Sequence, residues 1–285
     1  MSAYLYLEHL TGVDLNLIAT VSGVASAADL LADVHSDPGY LETLLVRPSL
    51  FQALFGSGEG EAFLRASPFL VFATLVHRAS HDLEELPYVH EWVGPDRRVP
   101  MFEIGPLRDF VGDPLRRLFL SELLASYTRV ASGAVWTRTA RGWRRRRFSE
   151  LDPVRLVEML DVVPENEKSG VYRRLGDVSL FLTGVFPDYA AGRLLPGLQR
   201  RRLERALDRR DTGSPGLTSG DIHLLEQLGR RSYHLASRAA EPPSGMSRVL
   251  AEVAEGFEQA RRLLNVLTDR YLFPFRERWF PTGGS

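Results

Sequence analysis

The stretch VYRRLGDVSLFLTGVF, residues 171–186, places five apolar residues at helical spacing: Val171, Leu175, Val178, Leu182 and Val185. Its second half, VSLFLTGVF, is apolar or small at nearly every position, which is typical of a helix enclosed on several sides. The sequence therefore predicts a central helix over about 171–186, covered by helices from the rest of the chain.

Three serine-proline or aspartate-proline pairs predict where other helices begin. They are Ser67-Pro68, Asp113-Pro114 and Asp152-Pro153. A serine or aspartate caps the first turn, and a proline at the first helical position loses no hydrogen bond. Apolar residues at helical spacing follow each pair, so we expect helices over about 67–83, 114–133 and 153–163.

The C-terminal part predicts an antiparallel helical hairpin. Apolar residues recur with alternating spacings of four and three from Met246 to Tyr271, a heptad-like pattern that Pro274 ends. A preceding helical pattern, over 222–239, carries small residues at its centre, which favour close helix packing. The Pro-Gly linker at 241–245 joins the two helices.

Two regions do not follow a helical pattern. Residues 87–106 contain four prolines, which favour an irregular or extended crossing. Residues 134–148 contain strand-forming side chains on both sides of Arg141-Gly142, which predicts a small β-hairpin. The fold class is therefore mainly α: a multi-helix, bundle-like single domain over 1–285, with the loop at 211–220 as a candidate subdomain boundary.

The composition indicates where in the cell the protein is located more clearly than it indicates a function. The 285 residues include no cysteine, which excludes disulfides and thiolate metal sites. The first residues lack the pattern of a signal peptide, and no apolar run approaches the roughly 18 residues of a membrane helix. We therefore expect a cytoplasmic protein with no membrane association.

An arginine-rich segment within the predicted hairpin is a candidate nucleic-acid site. Strand alternation would place Trp136, Trp143, Arg145 and Arg147 on one face, with Arg144 and Arg146 on the other. The net charge of the chain is only −1, and Lys168 is the sole lysine, so arginine also occupies ordinary surface positions. Residues 1–100 carry 13 acidic and 5 basic side chains, so these arginines could instead face the acidic first third.

Two other groups are candidate small-molecule sites. His77 and His81 stand one turn apart on a predicted helix, a spacing that transition metals use, but Arg78 replaces the glutamate of a zincin motif. Asp177 lies on the enclosed helix near Arg173 and Tyr172, and could line a ligand pocket. The alternative is structural: an arginine neutralises Asp177, and the histidines bond beside the core.

The sequence favours a non-catalytic protein-interaction or regulatory module, with a protein partner or self-association. The heptad-like pattern and the aromatic tail LFPFRERWFP, residues 272–281, support this interpretation, and no Walker A loop or nucleophile elbow is present. A ligand-binding protein or enzyme, with a pocket near Asp177 and His77/His81, is the alternative. Nucleic-acid binding through 141–148 is a further one. No cofactor is indicated.

Overall fold

A computed structural model describes residues 2–56, 61–128, 132–139, 142–149, 151–192, 194–195, 197–208, 220–239 and 245–272. For 132–149 the description is restricted to the backbone. The first nine helices are α1 Ser2–His9, α2 Gly12–Ser22, α3 Ala27–Ser36, α4 Tyr40–Val46, α5 Pro48–Phe55, α6 Glu61–Arg65, α7 Pro68–Glu85, α8 Gly105–Gly112 and α9 Pro114–Ser126. The others are α10 Pro153–Met159, α11 Lys168–Val185, α12 Pro187–Gly192, α13 Gly197–Asp208, α14 Asp221–Ala239, α15 Gly245–Glu255 and α16 Phe257–Leu267. The strands are β1 Val89–Gly94, β2 Arg97–Met101, β3 Ser132–Thr139 and β4 Gly142–Ser149.

The chain divides into two compact units. Unit 1 comprises Met1–Val89, Met101–Thr128 and Asp269–Ser285, and unit 2 comprises His90–Pro100 and Arg129–Thr268. The fold is mainly α with a small β-hairpin, as the sequence predicts. The single-domain interpretation stays a prediction, and most of its candidate boundary, 211–219, lies outside the described residues.

Unit 1 is organised around α7, which packs against α4, α5, α8 and α9. Ser67 caps the helix by accepting a hydrogen bond from the backbone of Leu70, and Pro68 occupies the first turn. Every residue from Phe69 to His77 is buried. This part of α7 is therefore covered on several sides, whereas a surface helix buries only one apolar stripe. Asp113 caps α9 in the same way, and that helix ends at Ser126 rather than near Gly133.

Unit 2 is organised around α11, which packs against α10, α12, α14 and α16. All of its residues from Leu175 to Val185 are buried, which confirms the enclosed central helix. Glycines permit this packing: a Cβ atom on Gly176 would lie 2.4 Å from the ring of Tyr233, and one on Gly184 would lie 2.6 Å from Leu264. Larger side chains at these positions would force the neighbouring helices apart.

The C-terminal helical pattern is divided in two. α14 packs against α15, in agreement with the predicted helical hairpin. The expected continuous helix over 246–271 is wrong, however, because the chain leaves the helical conformation at Gly256 and α16 begins at Phe257. Glycine has a low helix propensity, which favours a break at this position. The heptad-like spacing of the apolar side chains nevertheless continues across the break. A π-helical turn, Thr268–Leu272, follows α16.

Residues 87–106, expected to be irregular or extended, contain two extended strands, which form a hairpin rather than a crossing. Strands β1 and β2 form a two-stranded sheet joined by Pro95 and Asp96. Asp96 has φ 53°, a left-handed conformation that aspartate tolerates better than most residues in turns. Pro100 lies in β2 because both strands of a two-stranded sheet are edges, where a missing backbone donor is tolerated.

The second hairpin, β3 with β4, confirms the predicted one at 134–148. Its strands are antiparallel, and the backbone register pairs Trp136 with Arg145 and Thr137 with Arg144. Asp152, just after this hairpin, caps α10, which ends at Met159 rather than at Val163.

Candidate functional site

The two histidines predicted as a candidate metal pair are in different environments. His77 is only 2% exposed, whereas His81, one turn later on α7, is exposed to solvent. Within the described ranges, no group of three or more histidine, aspartate or glutamate side chains could hold a metal ion. The structure thus buries one imidazole and exposes the other, although the two residues are one turn apart on α7.

His77 is part of a buried polar cluster in unit 1. Its Nε2 lies 3.0 Å from the hydroxyl of Tyr6, which is fully buried. Burial, with the nearby positive charge of Arg117, lowers the pKa of His77 from 6.5 to about 3. Burial also raises the pKa of the Tyr6 hydroxyl. Both side chains are therefore neutral near pH 7.

Arg117, from α9, supplies the charge of this cluster and is itself held firmly. Its Nη2 donates to Glu42 at 2.6 Å, and its Nη1 donates to the carbonyl oxygens of Val111 and Gly112 at 2.9 Å. Tyr6, Glu42, His77 and Arg117 together are called the Tyr6 cluster. Most of its buried polar groups bond to one another or to backbone carbonyl oxygens, as is usual in a core, while Nε of Arg117 is buried without a hydrogen-bond partner among the described residues.

Asp177, the other predicted site residue, lies in unit 2 and is 8% exposed. The hydroxyl of Tyr233 on α14 donates a hydrogen bond of 2.9 Å to its Oδ1, and Tyr233 is fully buried. The Tyr233 ring reaches this carboxylate because Gly176, the preceding residue, leaves room for it. Tyr172 is buried in the same helix.

The predicted pocket near Asp177 and His77/His81 draws residues from both units, and it stays a prediction. So does the pairing of Arg173 with Asp177. The tyrosine partners of both predicted residues were missed by sequence reasoning, because Tyr6 is 71 residues from His77 and Tyr233 is 56 residues from Asp177. No local spacing signals either pair.

A second polar network in unit 2 was also not anticipated. The Nε atom of Arg261 donates to Glu226 at 2.5 Å, and that of Arg262 donates to Glu91 at 2.7 Å. Asn265 donates to the carbonyl oxygens of Thr183 and Gly184 at 3.2 and 2.6 Å. The network connects α16 to α11, α14 and strand β1 through groups that are mostly buried.

Asp188 anchors the other end of the β1–β2 hairpin. Its Oδ1 accepts hydrogen bonds from Nε1 of Trp92 at 2.7 Å and from the backbone of Asp96 at 3.2 Å, and Arg98 lies 3.6 Å from its Oδ2. The hairpin therefore belongs to unit 2 through two anchors, Glu91 and Asp188.

Asp82 fixes the C-terminal turn within unit 1. Its Oδ2 accepts from the Tyr271 hydroxyl at 2.5 Å and lies 3.1 Å from Arg270, while Arg78 lies 2.9 Å from its Oδ1. Beyond Leu272 lies the aromatic tail that the sequence singles out as a partner site, and residues 273–281 are outside the described ranges.

Tyr88 and Phe102, two exposed aromatic residues of unit 1, contact each other. Phe102 is 69% exposed and Tyr88 is 38% exposed, and their ring centroids lie 5.5 Å apart. Arg108 binds the backbone just before Tyr88, since its guanidinium donates to the carbonyl oxygens of Leu83, Glu84 and Leu86 at 2.7, 3.2 and 3.0 Å. These bonds hold the end of α7 against α8, and so fix the chain that carries Tyr88.

The candidate nucleic-acid residues, Trp136, Trp143 and Arg144–Arg147, are described through their backbone alone. Trp143 is paired with Arg138, and Arg147 with Ala134. Directly paired residues share a face of an antiparallel ladder, and adjacent residues alternate between faces. Nucleic-acid binding through this hairpin stays a prediction.

Comparison of the chain with protein-family models, with curated proteins and with solved structures finds no match. Across the described part of the chain, no single helix combines the length and apolar composition needed to cross a membrane. The bent pair α2 and α3, at 84° to each other, passes that test when taken together.

Proposed function

We propose that this chain is a non-catalytic protein-interaction module, which binds a protein partner through the ring pair Tyr88–Phe102. One observation carries the proposal: two contacting aromatic rings are exposed, and Arg108 binds the backbone just before one of them. Aromatic side chains are enriched at protein interfaces, and a fixed support reduces the entropy lost on binding.

The buried candidate residues agree with this proposal. His77 and Asp177 each bond to a fully buried tyrosine, so their polar atoms contribute to the cores of their own units. A catalytic or ligand-binding role needs such groups to face a substrate. Their hydrogen bonds to these tyrosines give structural reasons for them to be present.

Site-specific photo-crosslinking tests the proposal. We would replace Phe102 with the photoreactive residue benzoylphenylalanine in the full chain, in the cells that naturally produce it. The expected result is a discrete crosslinked product, either with another protein or with a second copy of the chain, and its loss when Tyr88→Ser is added.

Leu64 offers the matched control, because it is 80% exposed in the same unit but lies on a different helix, α6. The same photoreactive residue at position 64 should not give that product. Identical products from positions 64 and 102, or none from position 102, would contradict the proposal.

The cytoplasmic location predicted from the sequence is part of the same proposal. Fractionation of those cells tests it directly, with the expected result that the chain is recovered in the cytosolic fraction. Recovery in the membrane fraction after a high-salt wash would contradict it.

A further inference from the structure

Three exposed glutamates lie close to the ring pair along the chain. Glu84 and Glu85 lie at the end of α7, just before Tyr88, and Glu103 directly follows Phe102; all three side chains are exposed. Among the residues that the structure describes, none of these three carboxylates takes part in an ion pair. The arginines nearest to them along the chain bind other groups: Arg78 pairs with Asp82, and Arg98 lies 3.6 Å from Asp188. The guanidinium of Arg108 donates to three backbone carbonyl oxygens.

Helix stability does not explain the two glutamates. The C-terminus of a helix carries a partial negative charge, so acidic side chains in the last turn are unfavourable there. Glu84 and Glu85 nevertheless occupy the last turn of α7, with no basic side chain in that turn. A surface charge that opposes local stability and lacks a partner within the described residues is available to a binding partner.

We infer that the partner of the Tyr88–Phe102 pair is a basic peptide segment, in which an apolar side chain is flanked by arginine or lysine; the inference rests on the proposed function. The apolar side chain would contact the two rings, and its basic neighbours would pair with Glu84, Glu85 and Glu103. Arginine suits this surface best, because its guanidinium both binds carboxylates and stacks on aromatic rings. The same three carboxylates repel the phosphates of a nucleic acid.

Selection from a displayed library of random peptides tests this inference, with the full-length chain as the target. The expected result is enrichment of sequences in which an apolar residue is flanked by arginine or lysine. The enrichment should disappear on the variant Phe102→Ser, and should persist on the control Leu64→Ser, which also removes an exposed apolar side chain from unit 1.

An enriched peptide is then measured by fluorescence anisotropy against a charge variant, Glu84→Gln/Glu85→Gln/Glu103→Gln. Its affinity should fall about tenfold or more, as for loss of the main contacts of an interface, and the dependence on salt should weaken with it. Circular dichroism should show an unchanged helix content, because the three side chains are exposed and the substitutions remove unfavourable charges.

The outcomes separate the inference from the proposed function. Peptides that need Phe102 but carry no excess of basic residues would overturn the inference and leave the function in place. So would an affinity that the charge variant does not change. Failure of any peptide to depend on Phe102, together with no crosslink from position 102, would remove both.

Discussion

Tyr6 in unit 1 and Tyr233 in unit 2 are both fully buried, and each hydroxyl is bonded to a residue that sequence reasoning singled out. Their partners differ. Tyr6 meets an imidazole that burial keeps neutral, whereas Tyr233 meets a carboxylate and reaches it through the space above Gly176. In unit 1, burial keeps the histidine uncharged. In unit 2, the buried carboxylate accepts a hydrogen bond from a tyrosine, and a glycine leaves room for the ring of that tyrosine.

The contact between Tyr233 and Gly176 is expected to be the most sensitive part of this comparison. Gly176→Ala should lower the free energy of unfolding by about 3 kcal/mol, the upper end of the usual cost of overpacking. A Cβ atom there would lie 2.4 Å from two ring carbons, and the ring is fixed by its bond to Asp177. Urea denaturation measures the change.

Gly170→Ala is the matched control, on the same helix. Nothing lies within 4 Å of the added Cβ atom, so this variant should be unchanged or up to about 1 kcal/mol more stable. Equal losses at positions 170 and 176 would show that packing against Tyr233 is not the cause.

Replacing each buried tyrosine with phenylalanine removes its hydroxyl and so compares the two hydrogen bonds directly. Tyr233→Phe should cost about 2 kcal/mol and Tyr6→Phe about 1 kcal/mol, because a hydrogen bond to a charged group contributes more than one between neutral groups. Hydrogen exchange of α11 and α7 reports the loss within each unit. A greater loss from Tyr6→Phe would reverse our interpretation of the two clusters.

The neutral state of His77 predicts a specific pH dependence. In the unfolded chain the imidazole binds a proton near its ordinary pKa of 6.5, whereas in the fold its pKa is about 3. The stability that this difference contributes is present above pH 6.5 and is lost as the pH falls from about 6.5 to 3. Between pH 6.5 and 5.5 the free energy of unfolding should fall by about 1 kcal/mol.

His77→Gln should lack this component of the pH profile, while His81→Gln, which removes an exposed histidine from the same helix, should retain it. Denaturation at a series of pH values gives the profiles, and NMR of the His77 ring gives an independent check. Titration of that ring near pH 6.5 in the folded protein would contradict the buried, neutral imidazole.

Substitution of the exposed rings should change the free energy of unfolding least. Phe102→Ser and Tyr88→Ser should each change the free energy of unfolding by no more than about 0.5 kcal/mol, the usual range for surface substitutions. Thermal denaturation measures this. A loss comparable to that of Gly176→Ala would mean that the ring pair stabilises the fold, and would remove the support for an interaction role.

Much of the helical structure could be predicted because its signals are local. Ser67-Pro68, Asp113-Pro114 and Asp152-Pro153 each begin a helix with the expected cap, since capping involves residues two or three apart. The enclosed position of 171–186 follows from its composition alone. The ends of helices were less predictable: Gly256 interrupts a pattern of side chains that remains regular across it.

The candidate sites could be predicted only as single residues. His77 and Asp177 stand out in the sequence because polar groups on apolar helices are costly without a partner. Their tyrosine partners lie on other helices, far away along the chain, and an amphipathic pattern does not distinguish Tyr6 or Tyr233 from other core aromatics. The exposure of Phe102 could not be predicted either, because the sequence around it indicated only an irregular or extended chain.

The sequence by itself determined the mainly α fold class, the helix starts, the central helix and the β3–β4 hairpin, because hydrogen bonds and side-chain periodicity within a few residues govern these features. Only the tertiary structure decided which polar residues are buried and hydrogen-bonded, which glycines leave room for a neighbouring ring, and which aromatic rings are exposed to solvent. Those outcomes depend on contacts between segments distant in the chain, and packing in three dimensions selects them.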